Sequence, residues 1–343
     1  MSETTNEPRR YRSLFWPVIL ISAGVILLLG NAGIITWANV VSVLRLWPLL
    51  LILIGIDLLF GRSSPMVGAL IGIGAVVLIV IIMLAGPALG LAGDTEVKTF
   101  TGSVPLEDAE AAEVSLSLSV GDVTIRSLSD SSNVLEADLS YVGNDAVLES
   151  SGERTKVVSL HQEAGSFTFY GPLDFLQGFF DQPQLRWNIG LSDRVPLELQ
   201  INASLGTGDF DLRDLNLTNL RVNAGAGDVT LTLPATDARY EVVVNGGVGN
   251  YTLVIPEPAD IDMRLNGGAG NFIVETPAGA GVRLHAETGV GNIEVESARL
   301  ERVGGDDDRF VGDSGEWETD NYDEAERRID IDFRGGVGNL TVR

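Results

Sequence analysis

Two stretches decide how this chain reads: residues 242–253, VVVNGGVGNYTL, and residues 263–274, MRLNGGAGNFIV. They align at an offset of 21, with Gly-x-Gly-Asn at the centre and apolar residues at alternate positions on either side. Alternation with period two marks strands with one buried face. Related tetrads occur at Gly206-Thr207-Gly208-Asp209, Gly225-Ala226-Gly227-Asp228, Gly247-Val248-Gly249-Asn250, Gly268-Ala269-Gly270-Asn271, Gly289-Val290-Gly291-Asn292 and Gly336-Val337-Gly338-Asn339. Their second glycines step by 19, 22, 21, 21 and 47 residues, the last reading as two periods plus a small excess. A fixed period near 21 is the mark of stacked coils.

The flanking apolar residues keep one parity through the series. Leu220 and Val222, Val242 and Val244, Met263 and Leu265, Leu284 and Ala286, Ile331 and Phe333 precede the tetrads. Val229 and Leu231, Tyr251 and Leu253, Phe272 and Val274, Ile293 and Val295, Leu340 and Val342 follow them. A one-residue slip would turn every set outward, so constant parity fixes the register. Pro234, Pro256 and Pro277 close successive coils at corners, where proline costs no ladder hydrogen bond. Glycine suits a sharp corner that needs positive φ. The small residue between the two glycines is expected to point into the corner. The following Asn or Asp can bond nearby amides and stack as a ladder at about 4.8 Å, with Asn223, Asn245 and Asn266 lining a second one. Weaker coils read upstream at residues 119–125, 142–144 and 164–166, giving about ten or eleven coils at this period. A set of antiparallel hairpins with Gly-rich loops would also explain the alternation, but not a period shared by Gly, Asn and Pro.

The 343 residues carry a net charge of −24 and no cysteine. Residues 1–94 sum to +1, so the remainder holds −25. That field disfavours nucleic acid and favours cations or basic partners, or serves solubility alone. Without cysteine, disulfides and thiolate zinc sites are excluded. Residues 14–31, 46–61 and 66–92 are nearly all apolar, which predicts three transmembrane helices, since about 20 residues cross a ~30 Å core. The first two are copies: Trp16-Pro17 matches Trp47-Pro48 at an offset of 31. Tryptophan suits the membrane interface and proline a first helical turn. Asp57 breaks the copy and is either a functional intramembrane carboxylate or an interfacial one. Arg9, Arg10, Arg12 and Arg62 against Arg45 place the N-terminus in the cytoplasm and the C-terminal domain outside.

The expected fold is therefore a membrane-anchored all-β chain: three N-terminal transmembrane helices, then a single-chain β-solenoid (parallel β-helix) with a coil period of about 21 residues. Its divisions are a cytoplasmic tail at 1–13, the transmembrane region at 14–92, a linker and first strand at 93–113, and the solenoid at 114–343. An irregular insert (170–196), aromatic over residues 170–187, and an acidic insert (301–328) interrupt the solenoid. The first reads as a plug for irregular core or as a membrane-facing or partner-binding lip. The second holds eleven acidic residues. It reads as a solvated loop shielding the open sheet edge at the chain's end, or as a calcium site at Asp306, Asp307, Asp308 and Asp313. The structural corners are Gly208, Asp209, Gly227, Asp228, Gly249, Asn250, Gly270, Asn271, Gly291, Asn292, Gly338 and Asn339.

Chemistry is sparse. His161 and His285 have no metal spacing, and Gly-x-Gly-Asn lacks the third glycine of a phosphate loop and leads into a strand. No catalytic residue and no cofactor are expected. Short coils also leave little wall for the carboxylate cleft of a glycan-cleaving β-helix.

The duplicated Trp-Pro spans resemble the LiaI/LiaF-like transmembrane region. The stretch 114–150, especially Leu118–Ile125 and Leu135–Tyr141, resembles the start of the bacterial toast-rack domain, and 197–233 resembles coils of the same adhesin-like group. This resemblance implies a non-enzymatic, membrane-bound accessory or sensor in envelope-stress signalling, with a sensor kinase among its partners. A surface adhesin-like module and a carbohydrate-active β-helix enzyme are the alternatives. The expected partners are the lipid bilayer and an envelope protein, with homo-oligomers allowed.

Overall fold

The computed structural model describes residues 65–85, 97–162, 185–236, 238–295, 299–305 and 312–343, with eleven positions between 20 and 55. The chain divides into two compact units, Met1–Glu96 with Gly165–Pro183, and Val97–Ala164 with Gln184–Arg343.

In the first unit, helical backbone occurs at Leu20, Ile21, Gly24, Val25, Leu28 and Leu29, and again at Asn39, Ser42, Leu49, Ile52 and Gly55. The continuous helix α1 runs over Pro65–Ala85. Among the described residues no helix is long and apolar enough to cross a membrane. The expectation of three transmembrane helices is thus corrected. Three spans need three continuous helices of about 20 residues, whereas among the described residues of this unit α1 is the one continuous helix. Leu20, Leu28 and Leu84 turn 68%, 71% and 70% of their surface outward. Trp16, Pro17, Trp47, Pro48 and Asp57 lie outside the described residues.

The second unit is a stack of two-stranded coils forming two parallel sheet rows. In the first row, β6 (Thr155–Gln162), β2 (Ala111–Val120), β8 (Leu197–Leu205), β10 (Leu217–Ala226), the first half of β12 (Tyr240–Val254), that of β13 (Ile261–Glu275), β18 (Arg328–Val337) and β14 (Gly281–Val290) pair in that order. In the second row the order is β7 (Arg186–Ser192), β3 (Asp122–Leu128), β9 (Gly208–Asp211), β11 (Val229–Thr232), the second halves of β12 and β13, β19 (Leu340–Val342) and β15 (Ile293–Val295). The described residues form eight parallel rungs, fewer than the ten or eleven read from the period.

The rungs are not in chain order. The coil β6–β7 stacks outside β2–β3, and the C-terminal coil β18–β19 inserts between β13 and β14–β15. The 47-residue step is therefore a return to a neighbouring rung, with Gly281 beside Arg328. The chain's end is also no open edge, because β19 is paired on both sides.

Both ends are covered by antiparallel strands. At one, β4 (Asn133–Tyr141) pairs with β7 and with β1 (Lys98–Pro105), and β5 (Ala146–Ser151) pairs with β6. At the other, β17 (Ser314–Thr319) pairs with β14, and β16 (Leu300–Gly304) with β17. Residues 142–144, read as a coil corner, instead connect two cap strands, with Gly143 at φ 94°. Residues 164–166 fall outside the described positions.

Inward side chains form one continuous core. Its aromatic part is Tyr251 stacked on Phe272 at 4.6 Å and Phe272 edge-on to Phe333 at 5.4 Å. Gly246, Gly267 and Gly335 stand opposite these rings, where a Cβ would come within 2.6–2.9 Å of ring carbons. Gly246 and Gly267 on the first row thus make room for rings of the second, and Gly335 for the Phe333 ring of its own strand, as close packing requires.

Candidate functional site

The corner between the two rows has the most regular chemistry of the molecule. Gly121, Gly206, Gly227, Gly249, Gly270, Gly338 and Gly291 occupy it with φ between 132° and 151°. A Cβ on Gly206, Gly227, Gly249, Gly270, Gly338 or Gly291 would strike the carbonyl oxygen of the glycine one rung along. Conformation and contact both demand glycine here. The column also fixes the register of the first tetrad: the corner is Gly206, not Gly208. Gly208 pairs with Val229 in a strand, and Asp209 pairs with Thr230. Gly208 lies inward against Phe210, where a Cβ would come within 2.9 Å of the ring. With Gly206 at the corner, the anomalous step of 19 becomes 21.

Beside this column runs a ladder of side chains. Asn250 donates from Nδ2 to Asp228 Oδ1 at 2.8 Å, Asn271 to Asn250 at 2.9 Å, and Asn339 to Asn271 at 3.1 Å. Two of these oxygens also accept backbone N–H groups from the next rung, Asn250 N to Asp228 at 3.1 Å and Asn339 N to Asn271 at 3.3 Å, and Asn339 Oδ1 accepts from Asn292 N at 3.1 Å. These side chains thereby satisfy donors that the corner takes out of the sheet ladder. A second ladder lies on the first row, with Asn223 donating to Asn202 at 2.8 Å, Asn245 to Asn223 at 2.7 Å, and Asn266 to Asn245 at 2.8 Å. A primary amide has two donors and an oxygen with two lone pairs. Each internal amide uses one donor and one lone pair along the stack. The rest form a neutral array at the strand pitch of about 4.8 Å on an acidic chain.

Between the glycine columns stand Val248, Val337 and Val290, 60%, 56% and 50% exposed. These residues were expected inside the corner. The interior there is taken by the rings of Tyr251, Phe272 and Phe333, so the valines face solvent.

Of the calcium candidates, Asp306, Asp307 and Asp308 lie outside the described residues. Asp313 is engaged locally, with Oδ2 accepting from Ile293 N at 3.2 Å and its backbone N donating to Thr288 Oγ1 at 2.9 Å. Among the described residues no group of three or more His, Cys, Asp or Glu is placed to hold a metal ion. His285 faces outward, with Nδ1 3.3 Å from Glu316 Oε1, and His161 Nδ1 lies 3.4 Å from Ser159 Oγ.

The acidic segment has an apolar anchor that composition concealed. Leu300, Trp317 and Tyr322 are buried. Arg283 lies over the Tyr322 ring at 3.9 Å, and the Tyr322 hydroxyl donates to Asp330 Oδ1 at 2.5 Å. Arg239 bridges Asp330 at 2.6 Å and Asp260 at 2.9 Å. Burial pushes the Asp330 carboxyl up, but the Tyr322 hydroxyl and the Arg239 guanidinium outweigh it and hold it below the usual range. At the opposite cap, an open cleft of about 650 Å³ is lined by Thr101, Ser103, Asn133, Glu136, Asp138 and Asn188. Hydrogen bonds from Ser131 and Asn133 keep the Glu136 carboxyl below its ordinary value.

Residues 93–254 match the N-terminal domain of toast_rack, and residues 14–59 match the LiaI-LiaF-like transmembrane region. The solved structure of a "putative cell adhesion protein" from Clostridium sporogenes is similar at 18% identity and a TM-score of 0.50, covering 72% of this chain and 99% of that one. That of a "putative adhesin" from Bacteroides fragilis covers 72% and 97% at 13% identity and a TM-score of 0.26. No curated protein matches the chain. The chain is thus similar to toast-rack N-terminal domains over 93–254 and to a LiaI-LiaF-like transmembrane region over 14–59, which associates it with a membrane.

Proposed function

We propose that this protein is a non-enzymatic binding scaffold of the bacterial cell envelope, anchored in the cytoplasmic membrane with its coil stack on the outer side. Its role is that of an accessory or sensor in the envelope-stress response, and its partner is a membrane or envelope protein, a sensor kinase being the class the family resemblance suggests. The observation that carries the reading is the neutral amide ladder Asn202–Asn223–Asn245–Asn266 with the exposed Val248–Val337–Val290 ridge. Evenly spaced donors, acceptors and methyl groups suit an extended protein or polymer surface better than a small molecule. The −24 charge favours a basic partner.

The test is affinity capture of the intact protein from membranes at rest and under envelope stress. The wild type should recover a defined envelope protein, and a Val248→Lys, Val337→Lys variant should lose it. Equal recovery by both would sink the reading. An adhesin-like module is the second reading, favoured by the likeness in fold to the Clostridium structure. It predicts that residues 97–343 displayed without the membrane region still bind a surface target, and that deleting the chain leaves stress signalling unchanged. Protease accessibility of residues 97–343 in intact cells tests the outer location that both readings need.

A further inference from the structure

The two ends of the stack differ in how they are tied on. At the C-terminal end, β13 and β14 share no ladder; each pairs with β18 instead. The same holds in the second row, where β19 lies between β13 and β15. The coil β14–β15 and its cap hairpin are therefore joined through hydrogen bonds of the last 16 residues, Arg328–Arg343. This segment buries Ile329, Ile331, Phe333, Leu340 and Val342. It reaches its place from β17 through residues 320–327, a link that spans at most about 26 Å when extended.

We infer that the gap between β13 and β14–β15 is a strand-binding site, and that its ligand in trans is the segment Arg328–Arg343 of a second copy of this chain. Three features argue for it. The segment binds through backbone ladders, apolar side chains and a few polar pairs, among them Asp330 with Arg239, Asn339 with Asn271 and Arg343 with Glu275, all of which a second copy supplies identically. An exchanged pair then keeps every contact of the closed monomer, which makes exchange of an end segment a low-cost route to dimers. The segment also carries Arg328, Arg334 and Arg343 against Asp330 and Asp332, so it is a positive strand on a chain of charge −24 and is drawn toward another copy. Finally, the link's buried anchor is Tyr322, beside which Asn321 Nδ2 donates to Gly279 O at 3.3 Å on the exposed side. Tyr322 is buried, bonds Asp330, and sits under Arg283 and Arg328 at 3.9 and 5.1 Å. Releasing that ring frees the link without touching the ladders. Copies held in one membrane meet at raised effective concentration, which favours exchange further.

The chain lacks cysteine, so engineered thiols report the exchange cleanly. Ile273 and Thr341 are register partners on adjacent strands, and the adjacent-strand spacing of about 4.8 Å lies within the range a disulfide bridges. Full-length Ile273→Cys and full-length Thr341→Cys proteins, differently tagged, are co-expressed in one membrane and oxidised. The expected result is a mixed disulfide dimer, several-fold above that from Thr230→Cys paired with Thr341→Cys, whose positions are three rungs apart. Tyr322→Ala in both copies should raise the yield further. A chain carrying both Ile273→Cys and Thr341→Cys should close its bond internally, which verifies the register. Mixed product at the level of the Thr230→Cys control would overturn the inference, as would failure of the double variant to close.

Discussion

Gly338 lies against the carbonyl oxygen of Gly270, a residue 68 positions earlier in the chain, with no room between them for a side chain. This contact places the C-terminal coil on β13, and it sits at a corner of φ 137°. Gly338→Ala should therefore destabilise the stack twice over. Backbone strain of this kind costs about 1–3 kcal/mol, and the collision displaces the rung as well. Urea unfolding of the coil stack should show a clear loss of midpoint. Val337→Ala next to it, on an exposed side chain, should change stability by no more than about 0.5 kcal/mol. Equal effects would show that the corner is not what the column of glycines indicates.

The ladder makes a prediction about coupling. Asn245 donates to Asn223 and accepts from Asn266. Asn245→Leu leaves an acceptor on one neighbour and a donor on the other without the partner each has now. A lost hydrogen bond of this type costs about 1 kcal/mol, and water relieves part of it at a half-buried position. A cycle of Asn223→Leu and Asn245→Leu should give a non-zero interaction energy, because the two share a bond. Asn202→Leu with Asn266→Leu, two residues that do not touch, should be additive.

Asp330 links the acidic segment to acid stability. Its carboxyl is held below the ordinary value, so the folded state binds the proton less readily than the unfolded chain does. The stability it contributes is present above the unfolded value of 3.8 and is lost as pH falls through the folded one. Thermal midpoints measured from neutral pH downward should fall more steeply for the wild type than for Asp330→Asn, with the two curves converging in acid. Parallel curves would show that Arg239 and Tyr322 do not stabilise the carboxylate.

Trp317 anchors the cap hairpin, 8% exposed and 5.5 Å from the Arg302 guanidinium. Its truncation to Ala removes a large buried side chain, a loss of about 3–5 kcal/mol where the site cannot collapse. The damage should be local. Hydrogen exchange should accelerate in β16, β17 and β14, the strands it holds, and stay slow in β8 and β10. Uniform acceleration would mean that the cap and the stack unfold as one unit.

Period, parity and the need for glycine and asparagine were legible because each rung repeats the same local solution. The order of the rungs was not. The register that puts Gly270 beside Gly338 would equally put it beside Gly291, since both carry Gly-x-Gly-Asn followed by apolar-x-apolar. Local patterns cannot choose between neighbours that look alike, and the choice falls to the length and course of 296–327. Trp317 and Tyr322 sat in plain view within that segment, but its twelve acidic residues outweighed its three aromatic ones in the reading. At the N-terminus, apolar composition indicated membrane association without specifying how the backbone runs. The valines between the glycines followed the parity of their strands on paper, whereas the rings of Tyr251 and Phe272 occupy the space that parity assigned to them.

The first tetrad offers the sharpest check on register, because its two glycines allow two alignments. If Gly206 is the corner, Gly208 and Phe210 occupy the inward positions that Val229 and Leu231 hold one rung along. Phe210 is fully buried, and its ring fills the space that a side chain on Gly208 would need. Gly208→Val alone should overfill the rung and cost about 1–3 kcal/mol. Phe210→Leu alone leaves a void and should also destabilise. Combined, Gly208→Val with Phe210→Leu recreates the Val-x-Leu rung of β11 and should recover most of both losses. In the other alignment Gly208 is the corner, where valine is strained whatever residue stands at 210. Unfolding of the four proteins separates the two: rescue supports the corner at Gly206, and its absence moves the corner back to Gly208.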